Sequence, residues 1–355
     1  MRIAQVAPLF ESVPPRLYGG TERVVSWLTE ELVGQGHEVT LFASGDSVTS
    51  AELVPVTPRA LRLDPGVVDP IAHHVLMLEL VFQRAELYDV VHFHCDLLHL
   101  SLARRLQVPH VTTLHGRLDL PDLPAVYREF HDLPLVSISR AQRAPLSMAG
   151  WVGTVHHGLP RRLYDPGRGD GGYFVFLGRL SPEKRPDRAI EIAQRTGVPL
   201  KIAAKVDRAD QAYFDSAILP LLDDPLVEYL GELDDACKRA LVCGARALLF
   251  PIDWPEPFGL VMIEAMACGT PVVAFRNGSV PEVVDDGLTG LIVEDMDEAV
   301  RAAERIGGLD RARCRMVFEE RFTVDKMARA YLDVYARLEN RPSTGLGRAR
   351  SAAAA

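Results

Sequence analysis

Apolar runs of strand length alternate with stretches of helical periodicity along nearly the whole chain, and this alternation restricts the fold more than any other feature. Ile3 to Ala7 reads as a strand, followed by a Pro- and Gly-rich loop and a helix with Val24, Val25, Leu28 and Leu32 on one face. Gly34 and Gly36 close that helix, and Val39 to Ala43 is the next strand. Asp89 to His94 and His110 to His115 are further strands, each preceded by helical periodicity. Strands joined through helices lie parallel, so the pattern predicts an α/β fold: a doubly wound parallel sheet wrapped by helices.

From Gly158 to Gly172 the chain turns polar and glycine-rich, through Arg161, Arg162, Asp165, Pro166, Gly167, Gly169 and Asp170. That stretch reads as a link between domains. The alternation then restarts with Tyr173 to Leu177, Leu200 to Ala204, Val227 to Leu230 and Ala247 to Phe250. At 355 residues there is enough chain for two domains, each with its own core. The expected division is 1–160, 161–322, a returning helix over 323–340 and a disordered tail over 341–355. Thr323 is the expected N-cap of that helix, with Met327, Tyr331, Val334 and Leu338 as its buried stripe.

The formal charge of −9 argues against nucleic acid as a partner. Residues 1–160 hold 12 arginines, no lysine and 17 acidic residues, so that half is not a basic, membrane-seeking surface either. At most, peripheral membrane contact is expected. All 11 histidines precede residue 158, which suggests two units with different tasks. The 5 cysteines are odd in number and lack C-x-x-C spacing, so they read as reduced thiols. The first strand begins at once, leaving no room for a signal peptide, and no run approaches the ~18 apolar residues of a membrane span. A cytoplasmic location follows as an expectation.

The segment richest in chemistry runs from Trp254 to Pro271. Pro255 and Pro257 hold the exit from the strand Ala247–Ile252 extended, and a helix is predicted from about Phe258 to Cys268, ended by Gly269 and Pro271. Glu256 then sits in the strand-to-helix turn and Glu264 about two turns into the helix. The helix-start amides of Phe258, Gly259 and Leu260 lie between them. Carboxylates accept hydrogen bonds from sugar hydroxyls, and helix-start amides favour phosphate oxygens, which suits a nucleotide-sugar. A second candidate is Gly178-Arg179-Leu180-Ser181-Pro182-Glu183-Lys184, with Ser181 as an N-cap, Pro182 in a first helical turn, and Arg179 and Lys184 at the mouth of the sheet. Tyr18-Gly19-Gly20-Thr21-Glu22 is a third, where two glycines at a helix start let backbone approach a phosphate.

The Trp254–Pro271 segment, continued by Arg276-Asn277-Gly278-Ser279-Val280-Pro281-Glu282 and Asp286-Gly287-Leu288-Thr289-Gly290, resembles the donor-site signature of the retaining glycosyltransferases of family 4. The likeness extends from Met1 to about Leu338. It implies the GT-B fold of two facing Rossmann-like domains and transfer of a hexosyl unit from a nucleotide diphosphate sugar to an acceptor hydroxyl. UDP-hexose is the favoured donor and GDP-mannose the second. The resemblance assigns the diphosphate to Arg179 and Lys184, the nucleotide base to the backbone at Leu233, and the transferred sugar to the neighbourhood of His115. It places the Gly19-Gly20 loop on the donor phosphate, with Gly20 the stronger candidate. Glu264 would bind ribose and Glu256 orient the sugar.

His92, His94 and His99 have a spacing similar to that of metal ligands, but no carboxylate or cysteine pattern completes a site, so they read as strand-end polar residues. Asp223-Asp224, Asp234-Asp235 and Asp285-Asp286 lie in turn-like sequence, and the family generally works without metal; neither metal nor cofactor is expected. Acceptor recognition is expected in the loops Phe10 to Arg16, Ser44 to Leu63 and Arg117 to Ala125. The acceptor itself (a sugar, a lipid-linked or a small molecule) is left open. Two alternatives stand beside transfer: a nucleotide-sugar epimerase on the same scaffold, and a non-catalytic nucleotide-sugar-binding module.

Overall fold

Strands covered by helices on both faces are buried on both faces, and β1 (Arg2–Val6) and β2 (Glu38–Ser44) are buried at every position after their first residue. The computed structural model describes residues 1–17 and 19–339; the tail expected over 341–355 lies outside them. The chain forms two units, Met1–Gly158 with the segment from Val324, and Leu159–Thr323. Each unit holds one wholly parallel sheet.

The first sheet continues with β3 (Glu52–Thr57), β4 (Val90–Phe93), β5 (His110–Leu114), β6 (Leu135–Ser137) and β7 (Trp151–Thr154), in the order β3-β2-β1-β4-β5-β6-β7. Chain order reverses beside β1, which pairs with β2 and, through Ile3↔Val90 to Val6↔Phe93, with β4. Val6, Phe42 and Phe93 pack with Met77, Leu78 and Val81 of the helix Pro70–Arg84. That helix starts where Pro70 occupies its first turn and Asp69 accepts from the Ile71 amide at 2.9 Å. The helices Gly20–Gly34 and Val324–Glu339 pack against each other, and the latter also meets β5.

The second sheet contains β8 (Phe174–Arg179), β9 (Leu200–Lys205), β10 (Val227–Gly231), β11 (Ala247–Phe250), β12 (Val272–Phe275) and β13 (Gly290–Val293), in the order β10-β9-β8-β11-β12-β13. Ala189, Ile190 and Ala193 of the helix Pro186–Thr196 and Ala299, Ala302 and Ala303 of the helix Met296–Arg305 cover one face. The helix Leu260–Ala267 is buried from Met262 to its end, apolar except for Glu264. Arg315 donates to the terminal carbonyl of that helix at Ala267 (2.6 Å) and to Tyr164 in the link (2.7 Å). Arg311 similarly takes the carbonyls of Cys243, Ala245 and Gly167 at 3.1, 3.1 and 3.0 Å. Among the described residues no helix is long and apolar enough to cross a membrane.

Three local expectations are corrected. The Ser181–Lys184 stretch is an isolated turn, and the helix begins only at Pro186, because Arg185 adopts a left-handed conformation (φ 50°) that breaks helical continuity. Thr323 does not cap the helix Val324–Glu339: its buried Oγ1 has no partner among the described residues, while its backbone bridges to Leu159. The stripe on that helix is as expected, with Met327, Tyr331, Val334 and Leu338 all buried. The expected loop from Ser44 to Leu63 contains an edge strand, β3, whose Val54 packs into the core.

Candidate functional site

Open parallel sheets bind ligands beyond their carboxyl ends, where strand order reverses. In the second sheet that point lies between β8 and β11, so the residues leaving these two strands build the site. β8 ends at Arg179 and leads into the Ser181–Lys184 turn, closed by the Lys184 amide on the Ser181 carbonyl at 3.1 Å. β11 leads into Pro251 to Gly259. The two exits are tied together: the Asp253 amide donates to the Glu183 carbonyl at 2.9 Å, and Arg185 donates to the Asp253 carboxylate at 2.9 Å.

This tie brings Lys184 onto Glu256. The ammonium contacts the Glu256 carboxylate directly and lies 4.8 Å from the centroid of the Trp254 ring, whose Nε1 donates to the same carboxylate at 3.0 Å. Glu256 is buried, so the pair is shielded from bulk water. The turn bearing Glu256 is held from behind by the loop after β12. Ser279 donates its amide to the Glu256 carbonyl and its hydroxyl to the Phe258 carbonyl, both at 2.9 Å, and Asn277 donates to the Ile252 carbonyl at 3.0 Å. Gly278 has φ +54°, and a Cβ there would stand 2.3 Å from the Glu256 nitrogen, so no other residue fits this interlock.

Gly259, at φ +78°, turns the chain into the helix Leu260–Ala267, and its carbonyl accepts from the Met262 amide at 3.0 Å. The first-turn amides of Leu260 and Val261 precede any intrahelical acceptor. Phe258 is buried beside them, its ring edge-on to Phe322 at 6.2 Å. One helical turn further on, Glu264 is buried and pairs with Lys238 at 2.8 Å. Lys238 stands on the helix Asp235–Gly244, capped by Asp234 accepting from the Cys237 amide at 2.8 Å. Tyr164 lies beside Glu264; burial, and then the adjacent carboxylate, push its phenol well above the ordinary range. Leu233 lies half-buried between β10 and that helix.

Arg179 is surrounded by acids, with Glu183 at 2.6 Å and Asp207 and Asp210 each at 3.4 Å. The structure thus joins Lys184 to Glu256 in one ion pair and gives Glu264 a different cation. Lys238 is the residue sequence reasoning missed. Its signal was faint: a lysine four residues past a strand-end Glu-Leu-Asp turn, in a chain with 5 lysines.

In the first unit the order reversal lies between β1 and β4. Gly19 (φ +151°) and Gly20 lead into the helix Gly20–Gly34, and a Cβ on Gly19 would stand 2.7 Å from Pro15 Cβ. His115 follows β5, with Nε2 2.9 Å from His94 Nδ1 and its ring stacked on His157 at 5.3 Å. Burial pushes the His115 imidazole down to about 3, and holds His92, His94 and His157 well below their usual range. A ring so reluctant to take a proton is a poor general base near neutrality but a good neutral hydrogen-bonding group.

Residues 166–309 match the family model described as glycosyl transferases group 1, and residues 18–190 match that of glycosyltransferase family 4. D-inositol 3-phosphate glycosyltransferase of Mycolicibacterium smegmatis is 29% identical over 335 residues, 79% of this chain and 76% of its own. The crystal structure of a glycosyltransferase involved in avilamycin A biosynthesis superposes with a TM-score of 0.72 at 26% identity, over 96% of this chain and 99% of that one. Anabaena HepE in complex with UDP and glucose shares the fold, with a TM-score of 0.73 at 18% identity over 95% of this chain and 100% of that one.

Proposed function

From the premise that the chain belongs to the group 1 glycosyltransferases of family 4, with the GT-B fold, we propose that it transfers a hexosyl unit from a nucleotide diphosphate sugar to an acceptor hydroxyl with retention at the anomeric carbon. The activity would serve glycan, polysaccharide or glycoconjugate synthesis. The observation that carries this reading is the buried Lys184–Glu256 pair at the reversal point of the second sheet. A diphosphate draws the ammonium toward itself and frees the carboxylate to accept from a hexose hydroxyl. Arg179 and the amides of Gly259 and Leu260 add positive potential where negative charge grows on the departing nucleotide diphosphate. Glu264, held by Lys238, accepts from ribose hydroxyls, and the backbone at Leu233 meets the base.

Retention is assigned to attack on the face from which the leaving group departs. The bond from the anomeric carbon to the phosphate oxygen breaks, the acceptor oxygen bonds to that carbon, and the acceptor proton passes to the phosphate oxygen. Charge stabilisation by Lys184, Arg179 and helix amides needs no metal in this scheme. HepE is described with UDP, which makes a UDP-hexose the first donor to try. The name of the Mycolicibacterium relative makes a phosphorylated polyol the first acceptor class. The Mycolicibacterium relative and the avilamycin A protein are glycosyltransferases, not epimerases.

Purified protein incubated with UDP-hexose is expected to release UDP only when an acceptor is supplied, and to give a product of unchanged anomeric configuration. A changed sugar still attached to nucleotide, formed without acceptor, would replace transfer by epimerisation. Donor binding with no turnover on any acceptor would leave a binding module. Unimpaired kinetics in both Lys184→Ala and Glu264→Ala would remove the donor-site assignment.

A further inference from the structure

Two cysteines of the second unit meet through their side chains. Cys243 Sγ lies 2.9 Å from Cys268 Sγ, and both thiols are free. Cys243 stands in the last turn of the helix Asp235–Gly244, and Cys268 directly follows the helix Leu260–Ala267. The link segment fixes the backbone of each. The Gly167 amide donates to the Cys268 carbonyl at 2.8 Å, and the Gly169 amide to the Cys243 carbonyl at 3.3 Å. Arg311 donates to the carbonyls of Cys243 and Gly167 at 3.1 and 3.0 Å, so one guanidinium spans the arrangement. The sulfurs are already in contact on anchored backbones, and joining them asks for little movement.

The two thiols differ in a way that suits stepwise oxidation. Cys243 is half-buried, whereas Cys268 is buried. The neighbouring Cys268 thiol brings that of Cys243 below its ordinary range, with burial opposing and Arg311 assisting. Cys243, and then burial, push the Cys268 thiol up. The better thiolate is therefore the sulfur nearer solvent, with a resolving thiol behind it. Cys314 instead faces the carbonyls of Leu288 and Thr289, and Cys95 lies in the first unit.

We propose that Cys243 and Cys268 form a reversible oxidation site whose disulfide weakens donor binding by stapling together the helices that carry Lys238 and Glu264. Hydrogen peroxide is the oxidant. The Cys243 thiolate attacks it, the O–O bond breaks, and a sulfenic acid forms as the other oxygen leaves and takes a proton to become water. Cys268 then attacks the Cys243 sulfur: the S–S bond forms, the S–O bond breaks, and the hydroxyl departs as water with the Cys268 proton. Two thiols and one peroxide give one disulfide and two waters. Lys238 precedes Cys243 by five residues and Glu264 precedes Cys268 by four, so the bond lies little more than one turn from their ion pair. A ribose hydroxyl reaching Glu264 has to part it from Lys238, and a covalent tie at that distance resists the parting. This coupling rests on the donor site assigned above; the thiol chemistry does not.

The test treats the full chain with hydrogen peroxide, alkylates the remaining thiols and maps linked peptides by mass spectrometry. A Cys243–Cys268 bridge that dithiothreitol reopens is expected. UDP is the binding probe, since it needs no acceptor, and its Kd should rise about threefold on oxidation, near the lower end of one hydrogen bond. Cys268→Ala should leave a sulfenic acid at Cys243 and abolish the effect of peroxide on Kd. Both thiols remaining free, a bridge to another cysteine, or a Cys243–Cys268 bridge with UDP bound equally or more tightly overturns the proposal. Mapping the wild type needs no substitution, so the bond is decided even if Cys268→Ala does not fold. Neither readout needs turnover: a bridge that weakens UDP binding in a protein without transfer activity would remove the transferase reading alone.

Discussion

In the first unit, His94 meets His115 and Gln5, and His92 meets Thr113 and Tyr335, all through neutral hydrogen bonds. In the second, Lys184 meets Glu256, Lys238 meets Glu264, and Arg179 meets Glu183. The sequence divides in the same way, with all 11 histidines before residue 158 and all 5 lysines from Lys184 onward. Neutral rings suit recognition of hydroxyls. Charged pairs suit a ligand that brings charge of its own, because a partner already close in space has only to exchange one anion for another. Desolvation offsets most of the Coulombic gain in such pairs, so their presence says more about ligand chemistry than about stability.

That contrast can be attacked at several points. The largest expected effect is Lys184→Ala, which should lower kcat for transfer by about two to three orders of magnitude, as loss of a charge-stabilising donor does elsewhere. Steady-state kinetics check it, and a loss confined to the acceptor KM would break the assignment. Next is Gly278→Ala. The added carbon must displace the Glu256 peptide and take a left-handed backbone, and should cost about 3 kcal/mol of stability in urea unfolding together with most of the activity.

Acid should separate the units. His92, His94, His115 and His157 have folded-state values depressed by burial from an ordinary 6.5, so the unfolded chain binds more protons than the folded one below that pH. Their stabilising effect is full above pH about 6.5 and is lost as pH falls toward the folded values, by at most about 1.4 kcal/mol per pH unit for each ring. The second unit contains no histidine and lacks this slope. Hydrogen exchange at pH 7 and pH 5 checks the difference; equal losses of protection in both units would erase it. The smallest effect is Lys238→Met, which leaves Glu264 with Tyr164 and should raise the donor KM about tenfold with little change in kcat, consistent with removing binding rather than transition-state contacts.

Much of the architecture was visible in the sequence because buried parallel strands are largely apolar, as in Leu41 to Ala43 and Ala247 to Phe250. Glu256, Glu264, Arg179 and Lys184 stood out because they follow strands or open helices. What stayed hidden depends on contacts between distant segments. Lys238 acquires its partner only when two helices pack, and Gln5 reads as an interrupted apolar run until His94 and Tyr335 arrive beside it. Nothing in Ser181-Pro182 betrays that Arg185 will interrupt the helix, since the pair is a good helix start by itself. The short edge strand β3, with Pro55 inside it, looks like loop for the same reason.

The interlock of Gly278 with the Glu256 peptide has a consequence for how such a protein diversifies. Two loops from different strands share one steric slot, so neither can be regrafted alone. A chimera exchanging residues 251–259 with a homologue should accept the transplant only when 276–279 travel with it as a single cassette.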